Sequence, residues 1–351
     1  MSTTWTSSEP VLRLGRHVEL PVRRRAVLLG VLLLALLVGT TLATLSLGDL
    51  GIPVRELPTA IGEVVAGDAR GKANFVLGHL RGPRLVVALG AGAALGASGA
   101  LFQSVTRNPL GSPDVIGISA GAGAGAAFVG LLLPGSSSIV LGSVGGAFLA
   151  VGIVAVSTGT GLADPMRMIL AGIGVAAMAY AFTQYVVYVV ARDKASVLTA
   201  YINGTVEARG WDHAAIIWVT LALVVVPLAL VSGPLGLTEM GDEVAASLGV
   251  DAGRTRRWAV LLSVLLAGGA VAVAGPIAFI ALTAPHITRR LARSARPMLG
   301  LSAVTGALLL SLADLATEQV PLFDGLPVGI LTLAIGGIYL GGLLIAEWRK
   351  T

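Results

Sequence analysis

The chain has 351 residues, 55% of them hydrophobic and 12% charged, with a mean hydropathy of +0.87. That composition excludes a water-facing globule and makes a bilayer its natural solvent. A net charge of +5 from arginines clustered beside apolar segments does not make a nucleic-acid surface. Zero cysteines exclude disulfides, thiolate metal sites and cysteine nucleophiles.

A membrane-crossing helix needs about 20 mostly apolar residues to span roughly 30 Å of hydrocarbon. Residues 1–25 are polar, carry Arg13, Arg16, Arg23, Arg24 and Arg25, and are expected to form a cytoplasmic tail. The apolar run from Ala26 to about Ser46 is too long for a signal peptide and reads as a retained first crossing. Residues 47–80 read as an external loop holding an interfacial helix over Leu57 to Val65. Further crossings are expected at Arg84 to Thr106, Val115 to Leu133, Ile139 to Gly161, Met166 to Ala191 and His213 to Val231. Asn108-Pro109, Pro134-Gly135-Ser136 and Asp164-Pro165 make turns between them, and a polar stretch runs from Arg192 to Asp212.

The block Gly241 to Arg257 is hydrophilic, with Val244, Ala245 and Leu248 at helical spacing, which makes a short amphipathic helix in a loop. Three apolar stretches follow: Trp258 to Leu282, Met298 to Leu315 and Pro327 to Ile345. Nine crossings would leave Arg349 and Lys350 outside, against the positive-inside rule. A short crossing over Pro285 to Arg296 restores parity, so ten helices with both termini cytoplasmic are expected. Irregular segments of this kind survive at membrane depth only when protein or a watery cavity surrounds them. The loops at Arg107-Asn108-Pro109-Leu110 and Ala284-Pro285-His286-Ile287 then relate helices two to five and seven to ten as an inverted repeat.

Four segments carry a resemblance: Arg81-Gly82-Pro83-Arg84; Ser98-Gly99 through Gln103 to Arg107-Asn108-Pro109-Leu110-Gly111-Ser112-Pro113; Gly275-Pro276-Ile277-Ala278-Phe279 to Pro285-His286; and Leu326-Pro327-Val328-Gly329 with Thr332 and Gly336. Together they resemble the FecCD family, the permeases of ABC importers for iron siderophores, haem and cobalamin. The resemblance covers about residues 30 to 347. It implies an all-α type II importer permease fold in the bacterial cytoplasmic membrane, forming one domain over 26–347 with a cytoplasmic tail at 348–351. It also implies a second permease subunit, two cytoplasmic ATPase subunits, an extracytoplasmic substrate-binding protein, and a ferric siderophore as cargo, with haem or cobalamin as the alternative.

The same resemblance gives residues their expected roles. Gly241, Asp242, Glu243, Ala245, Leu248 and Gly249, within about 238–256, would couple to the ATPase, and an apolar-faced helix in a loop does need a groove for that face. Arg81 and Arg84 would dock the binding protein at the outer mouth of helix two, the alternative being headgroup anchoring. Gln103, Arg107, Asn108, Pro109, Ser119, Gly121, Pro285, His286, Pro327 and Gly329 would shape the translocation path, with His286 in a structural Pro-His turn. The sequence departs from the family where Glu318 stands four residues after Asp314, a position that often carries an external arginine. A water-filled vestibule or rim is the expected setting for Asp314 and Glu318.

No cofactor or metal is expected on this chain: the one Gly-Lys pair, Gly71-Lys72, lacks P-loop spacing, so ATP and Mg belong to the partner ATPase. No catalytic residues are expected, since no Ser/His, paired-carboxylate or metal set is visible. A secondary transporter driven by an ion gradient through Asp314 or Glu318 is the rival reading.

Overall fold

A computed structural model describes residues 11–14, 18–21, 24–68, 70–133, 139–159, 164–190, 203–294 and 296–348. Most of the expected N-terminal tail, the Pro134-Gly135-Ser136 turn, the polar stretch up to residue 202 and the tail beyond Trp348 lie outside them. A short antiparallel ribbon, β1 (Val11–Leu14) with β2 (Val18–Pro21), precedes a helical body.

Helix α1 spans Arg24–Ser46 and α2 spans Leu57–Ala66. Helix α3 runs over Gly71–Thr106, followed by a 3-10 turn at Pro113–Ile116 and by α4 at Ile118–Ala127, which continues as a π turn over Phe128–Leu132. Helices α5 (Ile139–Ser157), α6 (Pro165–Val190) and α7 (Trp211–Thr238) lead to the short α8 (Asp242–Ser247). The chain ends with α9 (Ala252–Ala274), α10 (Ile280–Ala292), α11 (Leu299–Gln319) and α12 (Val328–Trp348). Among the described residues seven of these are long and apolar enough to cross a membrane: α1, α3, α5, α6, α7, α9 and α11.

Burial sorts the helices. In α3 and α9, 83% and 78% of the apolar stretch is buried, against 17% in α1 and in α7. The two form the centre, and the outer helices present leucine, isoleucine and valine outward. Because lipid tails are as apolar as leucine, helices in a membrane are held by close backbone approach and interhelical hydrogen bonds. Both devices are present. Gly92 and Gly96 of α3 face Ser302 and Gly306 of α11 so closely that a Cβ at Gly92, Gly96 or Gly306 would overlap the opposing backbone. Gly121 and Gly125 of α4 meet Gly142 and Gly146 of α5 in the same way. At the centre the Ser98 hydroxyl donates to the Ser263 carbonyl (2.7 Å) while the Ser263 hydroxyl donates to the Ser98 carbonyl (3.0 Å), a reciprocal clasp between α3 and α9.

Three boundaries correct the sequence expectation. The second crossing does not open at Arg84: α3 begins thirteen residues earlier, at Gly71, and runs through a π segment at Asn74–Leu80 whose Val76 and Leu77 bury against α2. The seventh does not reach Leu282, because α9 stops at Ala274, where Gly275 takes φ 72° and ψ −178°, and Pro276 follows. The break between α9 and α10 is therefore Gly275 to Phe279. Ala284-Pro285-His286-Ile287 is not a loop but the middle of α10.

Candidate functional site

The α2 end of the bundle holds Arg81 and Arg84, and their setting differs from the expected open mouth. Ten residues of helix precede Arg81, so its side chain is covered and 5% exposed. The Arg81 guanidinium donates to the carbonyls of Thr44 (2.9 Å) and Leu47 (2.6 Å) at the end of α1 and pairs with Glu318 at 2.5 Å. Arg84 grips Asp314 with two nitrogens, Nε to Oδ2 at 3.0 Å and Nη2 to Oδ1 at 2.8 Å, and Asp314 is 2% exposed. Spacings of three on α3 and four on α11 suit antiparallel helices, each cation meeting one anion. Gly82, between them, lies under the Leu77 carbonyl, which the π register places five residues back, and a Cβ would not fit. The vestibule setting expected for Asp314 and Glu318 is thus replaced by a sealed ion-pair ladder. Glu318, standing where the family often has an arginine, is the counter-ion of the buried Arg81 guanidinium.

Also at this end, two of the resemblance motifs touch. The Gly329 amide donates to the Gly204 carbonyl at 2.9 Å, Gly204 lies under the Pro276 carbonyl, and Gly336 seats the ring of Phe279, which caps α10 in a left-handed conformation. Pro327 opens the turn into α12, its carbonyl accepting from Ile330 at 3.0 Å. His286, within α10, shares a 2.6 Å hydrogen bond between Nδ1 and the Tyr339 hydroxyl of α12. Pro285 is buried beside it.

The α8 end gathers the other expected residues. Arg107 ends α3 in the left-handed region (φ 49°), the Asn108 amide reaches back to the Gln103 carbonyl (3.1 Å), and the Asn108 side chain accepts from the Leu110 amide (2.9 Å). This is a Schellman cap followed by an Asx turn, which accounts for Arg-Asn-Pro-Leu as turn chemistry. Beyond it Ser112 caps the 3-10 turn, and Ser119 donates to the Asp114 carboxylate. Gly121 belongs to the α4–α5 contact.

Helix α8 lies between two glycines at positive φ, Gly241 (123°) and Gly249 (79°). Asp242 and Glu243 occupy its first turn, where the helix dipole favours carboxylates. Ala245 is fully buried, whereas Val244, Leu248 and Met240 are 40%, 59% and 68% exposed. Asp242 receives two guanidinium groups, from Arg107 of α3 and from Arg256 of α9 at 2.5 Å. Burial would raise its carboxyl, but the hydrogen bonds and charge of Arg256 and then Arg107 outweigh that and hold it below the usual carboxylate range. Arg107 also donates to the Thr238 carbonyl at 2.5 Å. Arg289 of α10 donates to Glu239 (3.0 Å), just past α7, and to Ser104 of α3 (2.7 Å). The exposed apolar tip thus stands on a base fastened to α3, α7 and α9 by charge.

Beside it lies an open cavity of about 500 Å³, lined in part by Gln103, Arg107, Asn108, Pro109, Glu239 and Arg289. The sequence reading missed Glu239, Arg256, Arg289 and Tyr339. Their only signal was charge, or a lone aromatic, at helix ends or on an apolar helix, with nothing local to name the partner.

Comparison with known proteins settles what carries this geometry. The FecCD transport family's profile matches residues 27–346. The chain belongs to the FecCD transport family. The ferric enterobactin transport system permease protein FepG of Escherichia coli is 40% identical over 287 residues, 81% of this chain and 86% of that one. The Fe(3+)-citrate import system permease protein YfmE of Bacillus subtilis is 37% identical, covering 79% and 84%. The Fe(3+) dicitrate transport system permease protein FecD of Escherichia coli is 34% identical, covering 88% and 95%. Among solved structures, an ABC transporter described as of metal-chelate type in an inward-facing conformation superposes with a TM-score of 0.78 at 23% identity, over 91% of this chain and 99% of that one. PsaBC from Streptococcus pneumoniae, solved with a Fab, gives 0.54 at 17% identity. This FecCD chain is a multi-pass membrane permease, a transport component rather than an enzyme.

Proposed function

We propose that this chain is the membrane-spanning subunit of an ATP-driven importer that carries a ferric siderophore or a related iron(III) chelate across the bacterial cytoplasmic membrane. The observation that carries the reading is family membership over nearly the whole chain, with relatives named for ferric enterobactin and iron(III) citrate transport. The haem, cobalamin and ion-gradient readings are set aside: the relatives are named for iron(III) chelates, and the carboxylates a proton carrier would use are locked to Arg81 and Arg84.

In this reading one domain over 26–347 makes ten crossings. Two of them are short helices, α4 and α10, packed against the central pair, and α12, against α10 and α11, is the last. Opposed directions of α3 and α9 and their reciprocal Ser98–Ser263 clasp support an inverted repeat and a type II importer fold. Both termini and α8 face the cytoplasm. Val244 and Leu248 enter a groove on a separate ATPase, which holds the ATP and Mg, while Gly241, Asp242, Glu243, Ala245 and Gly249 set the orientation of that tip. A second permease subunit completes the path, near which the Gln103, Arg107, Asn108 and Pro109 turn, Ser119, Gly121, Pro285, His286, Pro327 and Gly329 act by shaping backbone. A binding protein docks at the α2 end. There Arg81 and Arg84 serve from beneath the surface by fixing the ends of α1, α3 and α11 instead of meeting the partner as free cations.

The test is uptake of labelled ferric siderophores, ferric citrate, haem and cobalamin by a strain deleted for this gene, with and without the gene restored. Gene-dependent uptake of an iron(III) chelate is expected. Gene-dependent uptake of haem or cobalamin alone would overturn the cargo assignment.

A further inference from the structure

Helix α8 is built to turn as a unit. It is flanked by Gly241 (φ 123°) and Gly249 (φ 79°), with open space where a Cβ would stand on either. Within it Ala245 alone is buried, and the helix packs on α7 and α9. Its angle is fixed by Asp242, whose Oδ1 receives Arg256 from α9 at 2.5 Å and Arg107 from the α3 cap. Anchorage alone would be served by Arg256, which is 13% exposed and rides on a central helix. Arg107 brings a second cation to the same oxygen, and does so from a left-handed position (φ 49°) that glycine occupies at less cost. The same Nη2 also donates to the Thr238 carbonyl at 2.5 Å. One nitrogen thus spans the link between the last residue of α7 and the first of α8, while the backbone of the same residue begins the Asn108-Pro109 turn. Arg289 repeats the connection one turn earlier on α3, from Ser104 (2.7 Å) to Glu239 within the link (3.0 Å).

We infer that Arg107 is a positioning residue that makes the Asn108-Pro109 turn follow α8. A partner seated on Val244 and Leu248 turns α8 about its two glycines, and the Asp242 carboxylate moves with it. Arg256 stays with α9, so Arg107 and the turn that it begins carry the displacement. The cap can yield without unwinding α3, because the Arg107 amide makes a long bond of 3.4 Å to the Ser104 carbonyl. The open cavity of about 500 Å³ beside Arg107, Asn108 and Pro109 leaves room for the movement. The inference rests on the importer reading, which supplies the partner of α8.

The chain has no cysteine, so an introduced one is a unique labelling site. A spin label is placed on Leu110→Cys, 40% exposed just past the turn, and in a second preparation on Ser247→Cys, exposed on α8. The ATPase that co-purifies with the full-length chain from native membranes is trapped with ATP and vanadate, and the mobility of each label is compared before and after. Both labels should respond. Arg107→Gly relaxes the cap and removes the tie, so the Ser247→Cys label should still respond while the Leu110→Cys response falls about tenfold, the worth of one charge-assisted hydrogen bond. Arg107→Gln should give the same pattern, which excludes glycine flexibility as the cause. Arg256→Gln should lower the thermal midpoint and keep the Leu110→Cys response. A Leu110→Cys label that ignores the trapped state while Ser247→Cys responds, a full response in Arg107→Gly, or equal losses in Arg107→Gly and Arg256→Gln would each overturn the assignment. Failure of any ATPase to co-purify is a separate result, which would overturn the importer reading and the inference with it.

Discussion

Replacing Asp314 by Asn leaves Arg84 charged, 16% exposed and facing an amide, at a depth where water cannot compensate. Removing one partner of a buried ion pair typically costs about 3–5 kcal/mol, because the orphaned charge keeps its desolvation cost without its counter-ion. The bidentate geometry, with nitrogen to oxygen distances of 2.8 and 3.0 Å and a carboxylate 2% exposed, places this pair toward the upper part of that range. The double replacement Arg84→Met with Asp314→Leu removes both charges and fills the space with apolar volume. It should therefore be less damaging than Asp314→Asn or Asp314→Leu alone, with a coupling energy of about 2–3 kcal/mol across the cycle of Arg84→Met, Asp314→Leu and the double variant. The assay is equilibrium unfolding in mixed micelles titrated with a denaturing detergent, followed by tryptophan fluorescence. Additive single and double effects, or a cost below about 1 kcal/mol for Asp314→Asn, would show that the pair is solvated, and the sealed ladder would be wrong.

Three further outcomes are expected. Leu248→Asp places a charge on the tip of α8, where the side chain is 59% exposed; the protein should stay in the membrane while ATPase co-purification and transport fall at least about tenfold, the loss of one buried leucine contact. Asp242 is held below the usual carboxylate range, so the folded state binds its proton less readily than the unfolded chain. Its contribution is then complete above about pH 4, where the unfolded carboxyl ionises, and declines as pH falls through the depressed folded value. Wild type and Asp242→Asn should accordingly differ in thermal midpoint by a constant amount from pH 5 to pH 8. Gly306→Leu drives a side chain into the Gly92 carbonyl across the α3–α11 contact; it should abolish recovery of monodisperse protein, whereas Gly300→Leu, on the same helix with open space around it, should not.

Composition and apolar runs alone determined that this chain lives in a bilayer, because the hydrocarbon core accepts little but apolar side chains with internally satisfied backbone. They also located α1, the short helix α2, the capped turn after α3 and the amphipathic α8, each of which is written in consecutive residues: a run, a periodicity, an Asn-Pro pair. Family membership was legible in four motifs for the same reason. What sequence reading misplaced depended on contacts between distant residues. Arg81 and Arg84 read as cations at a mouth because nothing local says that a π segment carries the helix ten residues further out, or that Asp314 and Glu318, some 230 residues on, come across to meet them. The Pro285-His286 pair read as a turn because proline usually breaks helices; only the left-handed Phe279 and the neighbouring Tyr339 show that the break falls earlier and that His286 rides within α10. Charges in an apolar chain are few, and local sequence places them. Which charge answers which is decided by the packing of glycine-faced helices, and that exists only in three dimensions.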